Sequence, residues 1–222
     1  MPNLDAYAAI NAQVSDAAAL LVAVSKTKPD ADILALYEAG HRDFGENYVQ
    51  ELVDKQRRLP DDIHWHFVGH LQRNKVKDIV PFVHLIHGVD SMRLLTEINK
   101  RAQAIGRIVD VLLQVHVASE DTKHGFAPDE LLTLLGEGDI HRLPWVRLSG
   151  IMGMASNTRD EAQVAREFDE LHRVFKQIGE QYYARRPEWS TLSMGMSGDY
   201  TLALAHGSTL VRVGSLLFGA RN

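Results

Sequence analysis

The sequence contains no cysteine, and this absence excludes a whole group of sites. Disulfide bonds, thiolate metal sites and cysteine nucleophiles all require that residue. Long apolar runs are also missing, since none approaches the roughly 18 residues that a membrane-spanning helix needs. The N-terminus shows no basic segment followed by an apolar one, which is the pattern of a secretion signal. We therefore expect a cytoplasmic protein.

Neither sign of charge is in large excess. Lys and Arg number 24 against 29 Asp and Glu, which leaves a net charge of −5. This balance argues against a broad surface for nucleic acid or lipid, although a local basic pocket stays possible. No linker rich in Pro, Gly and Ser divides the 222 residues, and no low-complexity segment does. We therefore expect a single domain over residues 1–222.

Strand-like segments alternate with helical ones along the chain. Several are nearly continuous apolar runs, such as VDVLLQVHV, and these are typical of parallel strands covered on both faces. Eight repeats of the alternation predict an α/β fold. A closed (β/α)8 TIM barrel is the economical form at this length, and an open doubly wound sheet is the alternative. The predicted strands are Leu20–Thr27, Arg42–Glu46, Ile63–His70, His84–Val89, Val109–Val117, Arg147–Met154, Thr191–Met196 and Leu210–Phe218.

Helix signals fill the gaps between the predicted strands. Ser91 is a good N-cap for the segment SMRLLTEINKRAQAIG, which ends at Gly106. The longest helical segment, TRDEAQVAREFDELHRVFKQIG, places Val164, Phe168 and Leu171 on one stripe. A further helical segment, DAYAAINAQVSDAAALL, precedes the first strand. We expect this N-terminal helix to cover the barrel wall that a missing last helix would leave open.

Two loops rich in small residues follow the seventh strand and interrupt the eighth. Barrels of this kind often bind phosphate at these two places. Backbone N–H groups and hydroxyls there would face an anion at the start of a short helix. Either loop alone is also explained by ordinary turn chemistry, but the two together favour a phosphate site. The residues concerned are Ser193, Gly195, Ser197, Gly214 and Ser215, beside the cation Arg212.

The first strand carries ammonium groups near its end. Lys26 and Lys28 follow the run LLVAV and share the parity of Val22 and Val24, so a continuing strand would carry all four on one face. A solvated strand end is one interpretation. The other is an amine in the barrel mouth, where burial lowers the pKa of a lysine by up to about 3–5 units and the neutral amine condenses with an aldehyde. Opposite a phosphate site, such a lysine points to a phosphorylated aldehyde, with pyridoxal phosphate the obvious candidate.

Two polar clusters are harder to assign. The segment HWHFVGH places His64, His66 and His70 at even spacing, as in a row of metal ligands. No carboxylate or cysteine accompanies them at ligand spacing, so we interpret them as hydrogen-bonding histidines and predict no metal site. The segment FGEN ends the second strand with Glu46 and Asn47. These two residues are expected either to cap the next helix or to contact a ligand.

Six motifs in a fixed order resemble those of one family. The chain is similar to the small pyridoxal phosphate homeostasis proteins, which look like the barrel domain of alanine racemase standing alone. The resemblance spans nearly the whole chain, and six ordered motifs are far more specific than any single one. The motifs are AVSKTKP, FGENYVQE, WHFVGHLQRNK, SGIMGMA, SMGMSGD and GSTLVRVGSLLFGAR.

The resemblance implies a barrel of the third pyridoxal-phosphate fold type. Pyridoxal 5′-phosphate would be held as an aldimine on Lys26, with Lys28 as an accessory amine, and Arg212 would face the pyridine nitrogen. Because a guanidinium only donates hydrogen bonds, that nitrogen would stay unprotonated and the ring would be a weak electron sink. The residues expected to bind the cofactor are Lys26, Asn47, Met152, Ser193, Gly195, Ser197, Arg212, Gly214 and Ser215.

The family further implies a role in intracellular vitamin B6 homeostasis without catalytic turnover, and we assign no catalytic residue. Racemases of the related fold use a tyrosine from an additional domain and subunit, and no tyrosine here lies in a racemase motif. A racemase-like enzyme is the alternative function, and a barrel that binds another anion is a third. The expected partners are pyridoxal phosphate and enzymes that lack it, not nucleic acid or membranes, and a monomer is expected.

Overall fold

Eight parallel strands close into a barrel. The computed structural model describes residues 1–119 and 124–219; in it each strand pairs with the next, and β1 pairs with β8. The predicted (β/α)8 barrel is confirmed, and the open sheet is excluded. The strands are β1 (Leu20–Val24), β2 (Asp43–Glu46), β3 (His64–Phe67), β4 (Leu85–Val89), β5 (Val109–Gln114), β6 (Val146–Met152), β7 (Thr191–Met196) and β8 (Leu210–Val213).

A helix or helical turn follows every strand. Side chains of Asn3, Ser91 and Asp160 cap three helices by accepting a hydrogen bond from a backbone N–H three residues later. Two 3-10 turns, Arg73–Lys75 and Asp139–Arg142, complete the connections. The helices are α1 (Leu4–Asp16), α2 (Asp30–Glu38), α3 (Val49–Arg58), α4 (Val76–Ile79), α5 (Met92–Ala104), α6 (Pro128–Glu137), α7 (Glu161–Tyr182), α8 (Tyr200–Ala205) and α9 (Ser215–Phe218).

The predicted ends of the first and eighth strands are wrong. β1 stops at Val24, and β8 stops at Val213, after which residues Ser215–Phe218 form a helical turn. Apolar periodicity does not separate a short buried helical turn from a strand, which explains the second error. Both lysines of the first segment therefore lie in a loop. Ala220 and Arg221, which end the last of the six motifs, lie outside the described residues.

The N-terminal helix covers the barrel wall next to β8, as predicted. Tyr7, Ile10 and Val14 of α1 are buried. The backbone N–H of Asn3 donates to the Leu217 carbonyl oxygen over 2.7 Å, which ties the start of α1 to α9. Since α9 is a single turn, it is too short to cover this wall alone, and α1 supplies the missing apolar face.

The barrel interior is packed separately from the main apolar core, which lies between the sheet and the helices. A separate apolar cluster of Val22, Leu85, Leu112, Met152 and Leu210 fills part of the interior. Buried polar side chains, among them His66, His87, Ser193 and Arg212, fill the rest. Within the described residues, no helix combines the length and apolar character needed to cross a membrane.

Candidate functional site

A cavity of about 330 Å³ opens at the C-terminal ends of the strands. Barrels of this architecture carry their functional residues on that face. Val24, Val68, Met154 and Met196 give the cavity an apolar wall, and Gly198 and Gly219 also line it. The predicted site residues that meet there are Lys26, Lys28, Asn47, Ser197, Arg212, Gly214 and Ser215.

Three predicted site residues do not line this cavity. Met152 is 2% exposed and packs inside the barrel. Ser193 is fully buried beside Arg212, and Gly195 packs so tightly that a Cβ there would lie 2.5 Å from the Ala203 Cβ. Their contact with a cofactor stays a prediction. Met154, two residues after Met152 on the same parity, lines the cavity in its place.

A tight turn carries Lys26 into the cavity. The Lys28 N–H donates to the Ser25 carbonyl oxygen over 3.0 Å, and Thr27 between them has a φ of +63°. This left-handed conformation costs a β-branched residue about 1–2 kcal/mol. Such strain persists where surrounding contacts hold it, and it is concentrated at functional sites. Here the Thr27 N–H donates to Glu51 Oε1 over 2.6 Å, which fixes the turn.

A buried ionic network anchors the turn to α3. The Lys55 ammonium donates to Glu46 Oε1 at 2.8 Å, to Glu51 Oε1 at 2.7 Å and to the Ser25 carbonyl oxygen at 2.9 Å. The Ser25 hydroxyl also donates to Glu46 Oε1, over 2.6 Å. Sequence reasoning missed Lys55. A signal was present, because Lys55 lies three residues after the buried Leu52 on the inward face of α3.

Glu46 is the most buried charged side chain of this network. Its side chain is fully buried, and burial raises its pKa to about 7 even though Lys55 is adjacent. Its Oε2 atom has no hydrogen-bond partner among the described residues. The alternative that Glu46 or Asn47 caps α3 is wrong, since Tyr48 occupies the N-cap position and makes no side-chain capping bond.

Lys28 ties the same turn to the segment after β8. Its ammonium donates to the Phe218 carbonyl oxygen over 2.9 Å and to the Gly219 carbonyl oxygen over 3.5 Å. Lys26 and Lys28 are both partly buried and both line the cavity. The turn, and not the strand parity on which the prediction was based, brings the two amines to the cavity.

The loops after β7 and β8 meet on another side of the cavity. The Gly214 N–H donates to the Ser197 hydroxyl over 3.1 Å, which joins the two loops directly. α9 begins at Ser215 without a side-chain cap, so its first N–H groups stay available to a ligand. A Cβ on Gly198 would meet no atom within 4 Å, so this loop leaves open space. Hydroxyls, backbone donors and space of this kind suit a phosphate.

Arg212 lies at the floor of the cavity and is 5% exposed. Its Nη1 donates to the Ser193 carbonyl oxygen at 2.9 Å and to the Ser193 hydroxyl at 2.6 Å, and its Nη2 donates to the Gly153 carbonyl oxygen at 3.1 Å. Burial lowers the pKa of Arg212 to about 10, so the guanidinium keeps its charge at neutral pH. These bonds hold its plane in one orientation.

A chain of hydrogen bonds runs from Arg212 through the barrel interior to the N-terminal ends of the strands. The Ser193 hydroxyl lies 3.1 Å from His87 Nδ1, and His87 Nε2 lies 3.0 Å from His66 Nδ1. His66 Nε2 lies 3.1 Å from Asp43 Oδ1, where the chain ends. Sequence reasoning placed His66 among hydrogen-bonding histidines but did not connect it to the site.

Arg212 and Asp43, at the two ends of this series of hydrogen bonds, determine which nitrogen of each histidine carries the proton. Burial lowers the pKa of His66 and places that of His87 well below its ordinary value, so both imidazoles are neutral at neutral pH. A guanidinium can only donate, and a carboxylate can only accept. His66 therefore carries its proton on Nε2, toward Asp43, and accepts from His87. His87 in turn accepts from the Ser193 hydroxyl, whose oxygen accepts from Arg212.

Asn47 presents an unused acceptor near the cavity. The residue lines the cavity, and its Oδ1 atom is buried with no hydrogen-bond partner among the described residues. A buried acceptor without a donor costs about 1–3 kcal/mol. A ligand that brings a hydroxyl or N–H group to this atom would remove that cost.

Comparison with known proteins identifies relatives of the whole barrel. The model of the family "Alanine racemase, N-terminal domain" matches residues 3–222. The pyridoxal phosphate homeostasis protein of Pasteurella multocida is 37% identical over 97% of this chain and 92% of its own length. The alanine racemase of Clostridium difficile has a TM-score of 0.73 but 14% identity, over 99% of this chain and 58% of that one, and so shows the fold alone.

One of the similar solved structures matches this chain over nearly the full length of both proteins. PipY of Synechococcus elongatus without PLP has a TM-score of 0.89 at 36% identity, over 97% of this chain and 99% of its own. The structure of PipY with PLP bound has a TM-score of 0.86 at 35% identity, with the same coverage. Fold, identity and coverage agree: the chain belongs to the family of pyridoxal phosphate homeostasis proteins, built on the barrel of the alanine racemase N-terminal domain.

Proposed function

We propose that this protein binds pyridoxal 5′-phosphate in the cavity and serves vitamin B6 homeostasis by holding and releasing it without catalytic turnover. One observation carries the proposal: Lys26 and the two Gly/Ser loops line one cavity of suitable volume. The name of the Pasteurella relative and the PLP-bound structure of PipY support it.

The residues of the cavity fit each part of this cofactor. Lys26 supplies an amine for the aldehyde. Ser197, Ser215 and the first turn of α9 supply hydroxyls and N–H donors for the phosphate. The unpartnered Oδ1 of Asn47 matches a hydroxyl donor on the ring. These groups lie on different sides of one cavity, so a single ligand can satisfy all of them.

The bound cofactor supplies an aldehyde that bonds reversibly to an amine. Lys26 would offer its Nζ amine to the aldehyde carbon. Ser197 and Ser215 would hold the phosphate, which would keep the aldehyde within reach of the lysine. Arg212 offers only donors to the ring nitrogen, which would therefore stay unprotonated and withdraw electrons weakly.

The residues that line the cavity favour binding of the cofactor over catalysis with it. Among its lining residues in the described part of the chain, the titratable groups are Lys26, Lys28 and Arg212. Racemisation needs a second acid or base across the substrate from the lysine. No carboxylate, imidazole or phenol in that part of the chain lines the cavity to fill this role. Action as a cytoplasmic monomer that passes the cofactor to enzymes lacking it belongs to the same proposal.

Absorbance and chemical trapping test the proposal. Pyridoxal phosphate added to the purified protein should give a new visible band, and borohydride should then fix the label on Lys26 in a peptide map. Lys26→Ala should lose the band, whereas Lys77→Ala, which changes an exposed lysine on α4, should keep it. A full adduct in Lys26→Ala, or label scattered over surface lysines, would overturn the assignment.

A second measurement separates binding from catalysis. The loaded protein is incubated with a panel of amino acids in D₂O, and deuterium at the α-carbon is followed by mass spectrometry. The proposal expects exchange no faster than with free pyridoxal phosphate. Exchange well above that rate for any amino acid would favour the racemase-like alternative. Light scattering of the same sample tests the monomer.

A further inference from the structure

Four polar side chains gather at the N-terminal ends of β2, β3 and β4, at the opposite end of the barrel from the cavity. Asp43 begins β2, His64 begins β3, His66 lies two residues later, and His84 immediately precedes β4. The Asp43 Oδ1 atom lies 3.1 Å from His64 Nδ1 and 3.1 Å from His66 Nε2. The ring of His84 stacks on that of His64 at 4.6 Å and lies 5.3 Å from that of His66. The carboxylate missing from the sequence pattern thus comes from the neighbouring strand.

The spacing of three of these groups suits a metal ion. One ligand atom each from Asp43, His66 and His84 lies within 4.8 Å of the other two. Zinc binds nitrogen and oxygen ligands at about 2.0–2.2 Å in a tetrahedron, which places ligand atoms about 3.3 Å apart. The separation of Asp43 Oδ1 from His66 Nε2, 3.1 Å, is already close to that value. The ligand atom of the more exposed His84 lies within 4.8 Å of the other two, so it would have to move by up to about 1.5 Å to reach the same spacing.

The surroundings of His66 are those of a metal ligand. Its side chain is fully buried in the barrel, and its second nitrogen, Nδ1, is held 3.0 Å from His87 Nε2. A partner on the second nitrogen fixes the ring orientation of most ligating histidines.

We propose that Asp43, His66 and His84 form a binding site for one divalent transition-metal ion, with zinc the best match, at the N-terminal end of the barrel. His64 orients the carboxylate from the side through its bond to Asp43. The fourth position faces solvent, from which the ion enters past the exposed His84. Two imidazoles with one carboxylate suit Zn²⁺, Ni²⁺ or Cu²⁺, whereas Mg²⁺ and Ca²⁺ take oxygen ligands.

A second histidine cluster in the chain provides an internal control. His70, Asp90 and His124 also bring ligand atoms within 4.8 Å of one another, but both histidines are exposed. Their rings stack at 4.5 Å. Neither imidazole is buried in the barrel as His66 is, so each would lose more freedom on binding. We expect the Asp43 site to bind more tightly, and His70→Ala separates the two.

Metal binding would change which nitrogen of His66 and of His87 carries the proton. Without metal, His66 carries its proton on Nε2, because the Asp43 carboxylate bonded to that atom can only accept. A metal ion on Nε2 requires the proton on Nδ1, so His66 then donates to His87. The proton of His87 moves to Nδ1 in consequence, facing the Ser193 hydroxyl. Nitrogen-15 NMR of the histidine side chains distinguishes the two tautomers of each ring.

The test uses the full chain, stripped with a chelator and titrated with ZnCl₂ by calorimetry. One Zn²⁺ should bind per chain. His84→Ala and Asp43→Asn should each weaken the dissociation constant at least tenfold, and His70→Ala should leave it unchanged. In the NMR spectrum, zinc should move the protons of His66 and His87 from Nε2 to Nδ1. Cobalt in place of zinc should give the strong visible bands of tetrahedral coordination.

Three results would overturn the proposal. They are no zinc uptake at 100-fold excess over protein, affinity unchanged in His84→Ala, and affinity lost in His70→Ala but kept in the other two variants. Asp43 is partly buried, and circular dichroism shows whether Asp43→Asn folds. If that variant does not fold, His84→Ala decides the matter alone, because His84 is exposed and its removal leaves no buried group without its partner.

Discussion

Lys55 Nζ lies 2.8 Å from Glu46 Oε1, and the two side chains are 3% and 0% exposed. Through Ser25 and Glu51 the same ammonium holds the turn that carries Lys26. The amine of the candidate site is thus carried on a loop, but buried charges attach that loop to α3. Binding residues often lie on loops that a rigid scaffold positions, and here α3 is that scaffold.

Lys55→Met should destabilise the protein by about 3 kcal/mol or more, since it leaves Glu46 and Glu51 without their shared cation. Chemical denaturation at pH 7 measures the free energy of unfolding. The same variant should bind pyridoxal phosphate more weakly, because the turn at Lys26 loses an anchor. Lys77→Met, on the exposed side of α4, is the control and should change stability by less than about 0.5 kcal/mol. Equal stability of the two variants would contradict the role assigned to Lys55.

Glu46 should make the protein less stable as the pH rises from 4.5 to 7. Its pKa is about 7 when folded and about 4.5 as an ordinary glutamate, so in this window the folded chain holds a proton that the unfolded chain has released. Stability falls with pH wherever the folded state binds more protons, here by about 3 kcal/mol at most. Glu46→Gln, which cannot ionise, lacks this dependence.

Denaturation of both proteins at several pH values isolates the contribution of Glu46. The difference in unfolding free energy, wild type minus Glu46→Gln, should decrease between pH 4.5 and 7 and then stay level. A difference that increases with pH would mean that Lys55 lowers the pKa of Glu46 below 4.5. A level difference throughout would mean that burial and the ammonium cancel.

Gly69→Ala should disturb the cavity through the backbone of Asn47. A Cβ on Gly69 would lie 2.4 Å from the Asn47 carbonyl oxygen and 2.8 Å from its Cα, both closer than contact allows. We expect a loss of about 1–3 kcal/mol and weaker binding of pyridoxal phosphate. Gly136→Ala, in α6, is the matched control. Its Cβ would lie 3.5 Å from the Tyr182 hydroxyl oxygen, which is an ordinary contact distance, and the substitution should stabilise α6 by about 0.5–1 kcal/mol. Similar effects of the two changes would refute the close approach.

The barrel was predictable because its signal is local and repeated. Runs such as VDVLLQVHV are apolar on both faces, helical stripes separate them, and caps such as Ser91 mark the boundaries. The Gly and Ser of the loops after β7 and β8 were also visible, because phosphate sites recur at those positions. In each case a few neighbouring residues contain the information.

The remaining contacts depend on distant parts of the chain meeting. The network of Lys55 joins residues 30 positions apart. The hydrogen bonds from Arg212 to Asp43 link residues on five strands. Asp43 carried no sign that it would face His66. The turn at Thr27 adopts a conformation that its residue type disfavours, so no propensity would have predicted it.

Ser197→Ala should weaken binding of pyridoxal phosphate about tenfold, which is the effect of one lost hydrogen bond to a charged group. The hydroxyl also accepts from Gly214, so its loss loosens the contact between the two loops. Ser190→Ala, at an exposed position outside the cavity, should leave the dissociation constant unchanged.

Pyridoxal, which has the aldehyde but no phosphate, separates the two roles of Ser197 in the same spectroscopic titration. If Ser197 holds the phosphate, Ser197→Ala should bind pyridoxal as well as the wild type does, and only the phosphorylated ligand should lose affinity. An equal loss for both ligands would show that the hydroxyl acts on the shape of the cavity through Gly214. The phosphate would then be held by Ser215 and the first turn of α9.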